Sequence, residues 1–205
     1  MKREIDPKDS TRANAFSLWM TSPMPMVTLT KTFNVSKVMK ASKAIGIKFN
    51  ALLCWCIGKA ASEIKEFYTL PEHGKLYTYD RIAINVIVNN SKGGINSCDI
   101  PFCDNVELFA ADYNRLTAQA AGECKSSFLE DYMIVGTSAM IQTELDCIVN
   151  QYTDKFCNPM LLWGKYRQTE SGTTLPISFQ FHHVQMDGGH GAAFLERLQQ
   201  EMEKL

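Results

Sequence analysis

The chain has 205 residues, 45% of them hydrophobic and 21% charged, with a formal net charge of −1. That length suits a single domain over residues 1–205 with a sizeable buried core. The near-neutral balance, without a dense Lys/Arg stripe, argues against a nucleic-acid partner, and no apolar run reaches the roughly 18 residues that would cross a membrane.

The first residues, Met1 to Pro7, hold no apolar stretch, so no signal peptide is expected. A short helical pattern around Arg12–Met20 is broken by Pro23 and Pro25. Met26 to Phe33 alternates and is rich in β-branched residues, which predicts a strand. Ser36 is placed to cap a helix running to Gly46. Phe49, Leu52, Leu53, Cys56, Ile57, Ala60 and Ile64 repeat at helical spacing on a segment with few charges, which predicts a helix buried on more than one side. Leu76–Tyr79 and Arg81–Val88 read as two strands about a tight turn at Asp80, and the Asn/Gly-rich stretch 89–94 as a loop. Val106–Lys125 reads as a helix. Tyr132–Ala139, Leu145–Asn150, Pro159–Tyr166 and Ile177–His183 read as strands, and Gly191–Leu205 as a last amphipathic helix. Interspersed helices and strands, with strands clustered late, predict an α/β two-layer sandwich: a mixed, largely antiparallel sheet with helices on one side. The seven cysteines are odd in number and form no C-x-x-C pair. They read as reduced, mostly buried thiols of a cytoplasmic protein rather than a disulfide or zinc framework.

The segment that carries chemistry is His182-His183-Val184-Gln185-Met186-Asp187-Gly188-Gly189. Two of the four histidines fall here and a third, His190, follows directly, where an apolar strand gives way to a loop and then a helix. A histidine at a strand end is a rigidly mounted base. Strand alternation sends His182 and His183 to opposite faces, so one of them reaches a given pocket. Asp187 stands where a helix N-terminus is approached and could serve simply as its cap. His183, Asp187 and His190 are of metal-binding type, but their spacing matches no common zinc signature, so no metal is expected.

The pattern His-His-x-x-x-Asp-Gly resembles the signature of the CoA-dependent acyltransferases, which include the chloramphenicol acetyltransferases and the dihydrolipoyl acyltransferase cores. Nearly the whole chain is similar to the former. Arg12 to Phe16 resembles the family's Arg-x-x-x-Phe segment, Val27 to Thr30 its first strand, Lys48-Phe49 the opening of its long helix, and Thr137-Ser138-Ala139 its Ser-Ala segment. Gly164-Lys165-Tyr166 precedes the histidine motif at a similar spacing. The resemblance implies an O-acetyltransferase that moves acetyl from acetyl-CoA, a co-substrate rather than a resident cofactor, to a hydroxyl of a small molecule such as chloramphenicol. An antibiotic-resistance role would follow for that acceptor. It also implies His183 as general base, Ser138 as oxyanion donor and a supporting pair of Asp187 with Arg12. Lys48, Lys165 and Tyr166 fall near the CoA, Trp19 and Val27 at the acceptor pocket, and the assembly is a homotrimer with active sites at the interfaces. Departures concern the acceptor walls: Trp19 for a tyrosine, Val27 for an aromatic, Leu162 and Trp163 for a threonine and a smaller side chain, and Gln142 for a tryptophan. A silent CoA- or drug-binding protein on the same scaffold, or a dihydrolipoyl acyltransferase-like core, are the competing readings.

Overall fold

The structure is a computed structural model that describes residues 1–153, 155–170 and 172–205. In chain order the strands and α-helices are β1 (Arg3–Ile5), α1 (Ala13–Trp19), β2 (Met26–Asn34), α2 (Ser36–Ile45), α3 (Phe49–Ser62), β3 (Thr69–Glu72), β4 (Lys75–Thr78), β5 (Ile82–Asn89), β6 (Ile95–Pro101), α4 (Val106–Glu123), β7 (Met133–Met140), β8 (Met160–Gly164), β9 (Arg167–Thr169), β10 (Gly172–His182) and α5 (Gly188–Glu203). Among the described residues a seven-stranded sheet runs β2-β10-β8-β7-β5-β6, with β9 also on β10. The β5–β7 and β7–β8 pairs are parallel and the other pairs antiparallel. This is the mixed, largely antiparallel α/β architecture that the order of elements predicts.

Alternation gives the large sheet two distinct faces. Phe179, Phe181, Leu161, Val135 and Ile84 point into the core beneath α3 and α5, with no solvent exposure. α3 is buried nearly all round, from Ala51 to Ala61, as its continuous apolar pattern predicts. α5 lies close against the sheet because residue 191 is glycine: a Cβ there would sit 2.7 Å from Phe181 and 2.9 Å from Leu29. The opposite face carries polar residues. The register aligns Thr28, Gln180, Met160, Gly136, Asn85 and Asp99 as one row across six strands.

Four expectations need correction. Ser36 is the first residue of α2 rather than its cap, and its hydroxyl instead accepts from the Thr173 N–H. The segments around Asp80 do not form a hairpin: β4 pairs with β1 and β3 in a separate small sheet, while β5 enters the large one. Leu145–Asn150 forms no strand. It crosses the polar face, donating from Ile148 N–H to Ser178 Oγ and accepting from Gln180 Nε2 at the Asn150 carbonyl. Finally, β10 begins at Gly172, and a strand not anticipated, β6, forms the sheet edge.

Candidate active site

β10 ends at His182, and the next residue leaves the sheet. His182 has no exposed surface, and its Nδ1 accepts from the Val184 N–H at 3.1 Å. Burial, and then the neighbouring His183, hold its pKa down to about 4, so it is neutral near pH 7. His183 is fixed at its backbone by donation to Pro25 O (2.8 Å) and acceptance from Arg12 Nη2 (2.8 Å). Its ring stacks on Trp19, with centroids 4.8 Å apart and planes 4° from parallel. Its Nδ1 is buried and lies 3.4 Å from Asp187 Oδ1. A proton on Nδ1 faces that carboxylate, which leaves the Nε2 lone pair on the accessible side of the ring.

The loop after His183 is held by one guanidinium. Arg12 donates from Nε to Val184 O (2.8 Å), from Nη2 to His183 O, and from Nη1 and Nη2 to the two oxygens of Asp187 (2.6 and 2.8 Å). The hydrogen-bonded Arg12 holds the Asp187 carboxyl below the usual carboxylate range. Asp187 is also the N-cap residue of α5, so its capping and ion-pairing roles coexist. Its N–H donates to His190 Nδ1 at 3.1 Å, and His190 Nε2 lies 3.5 Å from the buried Glu66. Chemically, this corner is a rigid, solvent-reachable imidazole.

A cleft of about 840 Å³ opens at the ends of β5, β7 and β8, beside the start of α3. Lys48, Phe49, Ser138, Gln142, Lys165 and Tyr166 line it. The Ser138 hydroxyl has no hydrogen-bond partner among the described residues and is free to turn into the cleft. Cys54 also lines it, but burial pushes this thiol up to about 12, which removes it as a thiolate nucleophile at neutral pH. A second cavity, about 410 Å³, lies on the polar sheet face. Its walls include Met26, Asn85, Asp99, Gly136, Met160 and Gln180, and Ile87 borders both cavities.

The predicted residues therefore fall into two groups. Arg12, Trp19, His183 and Asp187 converge at one corner; Lys48, Ser138, Lys165 and Tyr166 share the large cleft. His183 lines neither cavity. Val27 packs against the core, and its neighbour Met26 is the residue that lines the second cavity. Asn85, Asp99 and Gln180 went unseen in the sequence. Their signal is a polar side chain on the alternate positions of otherwise apolar strands, a pattern shared with ordinary solvated faces.

Comparison with known proteins agrees with this geometry. The family model described as "Chloramphenicol acetyltransferase" matches residues 2–199. The chain is 21% identical over 200 residues to chloramphenicol acetyltransferase 2 of Escherichia coli, covering 95% of this chain and 94% of the relative. A solved chloramphenicol acetyltransferase superposes with a TM-score of 0.86 at 22% identity, covering 98% of this chain and all of the other. The cubic core of the pyruvate dehydrogenase multienzyme complex superposes less closely, with a TM-score of 0.66 at 18% identity, covering 94% of this chain and 85% of the other. The chain is an acyltransferase and belongs to the chloramphenicol acetyltransferase family.

Proposed function

We propose that the protein is a cytoplasmic O-acetyltransferase that transfers acetyl directly from acetyl-CoA to a hydroxyl of a small molecule, chloramphenicol or a related acceptor. It would act as a homotrimer. The observation that carries this reading is the pairing of a serine-bearing cleft flanked by two lysines and a tyrosine with a histidine immobilised elsewhere on the same chain.

The cleft suits the CoA. Lys48 precedes α3, so its ammonium and the helix N-terminus both favour phosphate, and the Tyr166 ring suits a purine. His183 Nε2 takes the acceptor hydroxyl proton as that oxygen attacks the thioester carbonyl. The new C–O bond forms while the carbonyl oxygen becomes an oxyanion, and Ser138 donates to it. A donor of this kind is worth about 2.7–4 kcal/mol. Collapse breaks the C–S bond, and the imidazolium protonates the departing thiolate. No step needs an acyl-enzyme.

Two features support an interface site. His183 lines neither cavity, so it shares no cavity with Ser138 here, which supports a site completed by a neighbouring subunit. Large apolar side chains also lie exposed near both halves: Leu18, Trp19 and Met24 near His183, and Ile95, Phe128 and Phe156 around the polar face. Patches of this kind mark association surfaces. The intact set of Arg12, Ser138, His183 and Asp187 favours catalysis over silent binding. The closer superposition on the acetyltransferase disfavours a dihydrolipoyl acyltransferase-like core.

The test is thiol release from acetyl-CoA with chloramphenicol and a panel of hydroxyl compounds, with dihydrolipoamide as comparison. Release with a hydroxyl acceptor, absent in His183→Ala, is expected. Binding of acetyl-CoA without turnover of any acceptor would identify a silent binder.

A further inference from the structure

The second cavity contains a charge that the described residues leave without a partner of opposite sign. Asp99, at the middle of β6, is only 3% exposed and lines this cavity. Asn85 Nδ2 donates to its Oδ1 at 2.6 Å, and the Leu129 N–H donates to its Oδ2 at 2.9 Å. Among the described residues no cation pairs with it, and burial raises its pKa. Lys2 lines a neighbouring hollow together with Asp99 but is engaged by Glu72. A buried carboxylate held by neutral donors alone is costly, and a ligand that supplies positive charge recovers that cost.

The setting fits an organic cation. Phe128 and Phe156, about two-thirds exposed, wall the same cavity with apolar surface and ring faces that attract a cation. Gly136 stands in the row between Asn85 and Met160 and adds no side chain of its own; the flexible Met160 side chain leans over it, 3.2 Å from where a Cβ would stand, and is what a ligand would displace along this floor. Ser138 is two residues further along β7, and β7 is two strands from β6. Strand spacing and rise put the Cα atoms of Ser138 and Asp99 about 12 Å apart.

We propose that the acceptor is an amine-bearing alcohol whose protonated amine docks on Asp99 while its hydroxyl, about 12 Å away, receives the acetyl group beside Ser138. This inference rests on the acyltransfer reading and specifies its acceptor class. Only the alcohol reacts: the C–O bond forms as the C–S bond breaks, and the ammonium keeps its proton.

The experiment uses the full chain and a set of α,ω-amino alcohols, from ethanolamine to aminooctanol, each against the neutral diol of equal length. Thiol release from acetyl-CoA gives kcat/KM for each. The amine-to-diol ratio should climb with length to at least about tenfold for aminooctanol, the value of a charged hydrogen bond lost. Ethanolamine, too short to reach, should show no advantage. In Asp99→Asn, and in Asp99→Ser should the first variant fold poorly, the ratio should fall to about one. Equal use of amine and diol by the wild type, or a preference that persists in the variants, overturns the proposal. That second outcome would arise if another carboxylate held the amine. Should neither these acceptors nor chloramphenicol release thiol, the transfer reading fails. Calorimetric binding of aminooctanol then decides on its own: roughly tenfold weaker binding by the variant upholds the docking site, and equal binding overturns it.

Discussion

Replacing Arg12 with lysine preserves charge but removes the fork that holds the histidine loop. The guanidinium makes four hydrogen bonds, two to Asp187 and one each to the carbonyls of His183 and Val184. An ammonium on a flexible stem does not span these acceptors. Breaking a fully buried pair costs about 3–5 kcal/mol. Here the Arg12 side chain is 9% exposed but that of Asp187 is 47% exposed. Water therefore recovers part of the loss, and the cost falls to about 2–3 kcal/mol. For a chain of this size that corresponds to a drop in Tm of roughly 5–10 °C. The histidine shifts with its carbonyl, and a displacement of about 1 Å costs about 100-fold in rate. Differential scanning calorimetry and thiol-release kinetics measure the two effects on one sample. If Arg12→Lys kept its Tm within about 1 °C and its rate within about twofold, the loop would not depend on this fork.

Ser138→Ala should lower kcat by about 100- to 1,000-fold with little change in KM for acetyl-CoA, because the hydroxyl acts on the developing oxyanion; a rise in KM alone would instead make it a binding residue. His182 gives a pH dependence of stability. Its folded pKa, about 4, lies below its ordinary 6.5, so its contribution is fully present above pH 6.5 and is lost as the pH falls toward 4. The loss amounts to at most roughly 3 kcal/mol. Urea unfolding across that range should show a flatter profile for His182→Gln than for the wild type, and equal slopes would mean that the imidazole is solvated.

The sequence exposed the histidine corner more clearly than the pockets. His182 to Gly189 is a local device: strand end, loop and helix start are consecutive, so chemistry and geometry share one stretch of chain. The core helices were readable for a similar reason, since α3 repeats apolar residues through its whole length. β6 was hidden because Ile95 to Pro101 interleaves Asn96, Ser97 and Asp99 with apolar residues after a Gly-rich loop, and its edge place comes only from pairing with β5. The early start of β10 was hidden by Pro176. That proline falls between the stretches paired with β9 (172–174) and β8 (177–180), where one edge needs no donor. Leu145–Asn150 has the composition of a strand, but Ser178 and Gln180 capture its backbone groups from the sheet face. Asp99 could not be singled out at all, since its significance depends on a cavity assembled from six strands and the segment around Asn150.

The decisive measurement is complementation between two inactive chains. His183→Ala and Ser138→Ala are produced separately, shown to be folded, and then co-assembled in equal amounts. If base and oxyanion donor come from different subunits of a ring, about one site in four receives both intact residues, and the mixture recovers about a quarter of wild-type thiol release. A mixture as inactive as either variant alone, with mixed oligomers verified by mass, would mean that each active site is built within one chain.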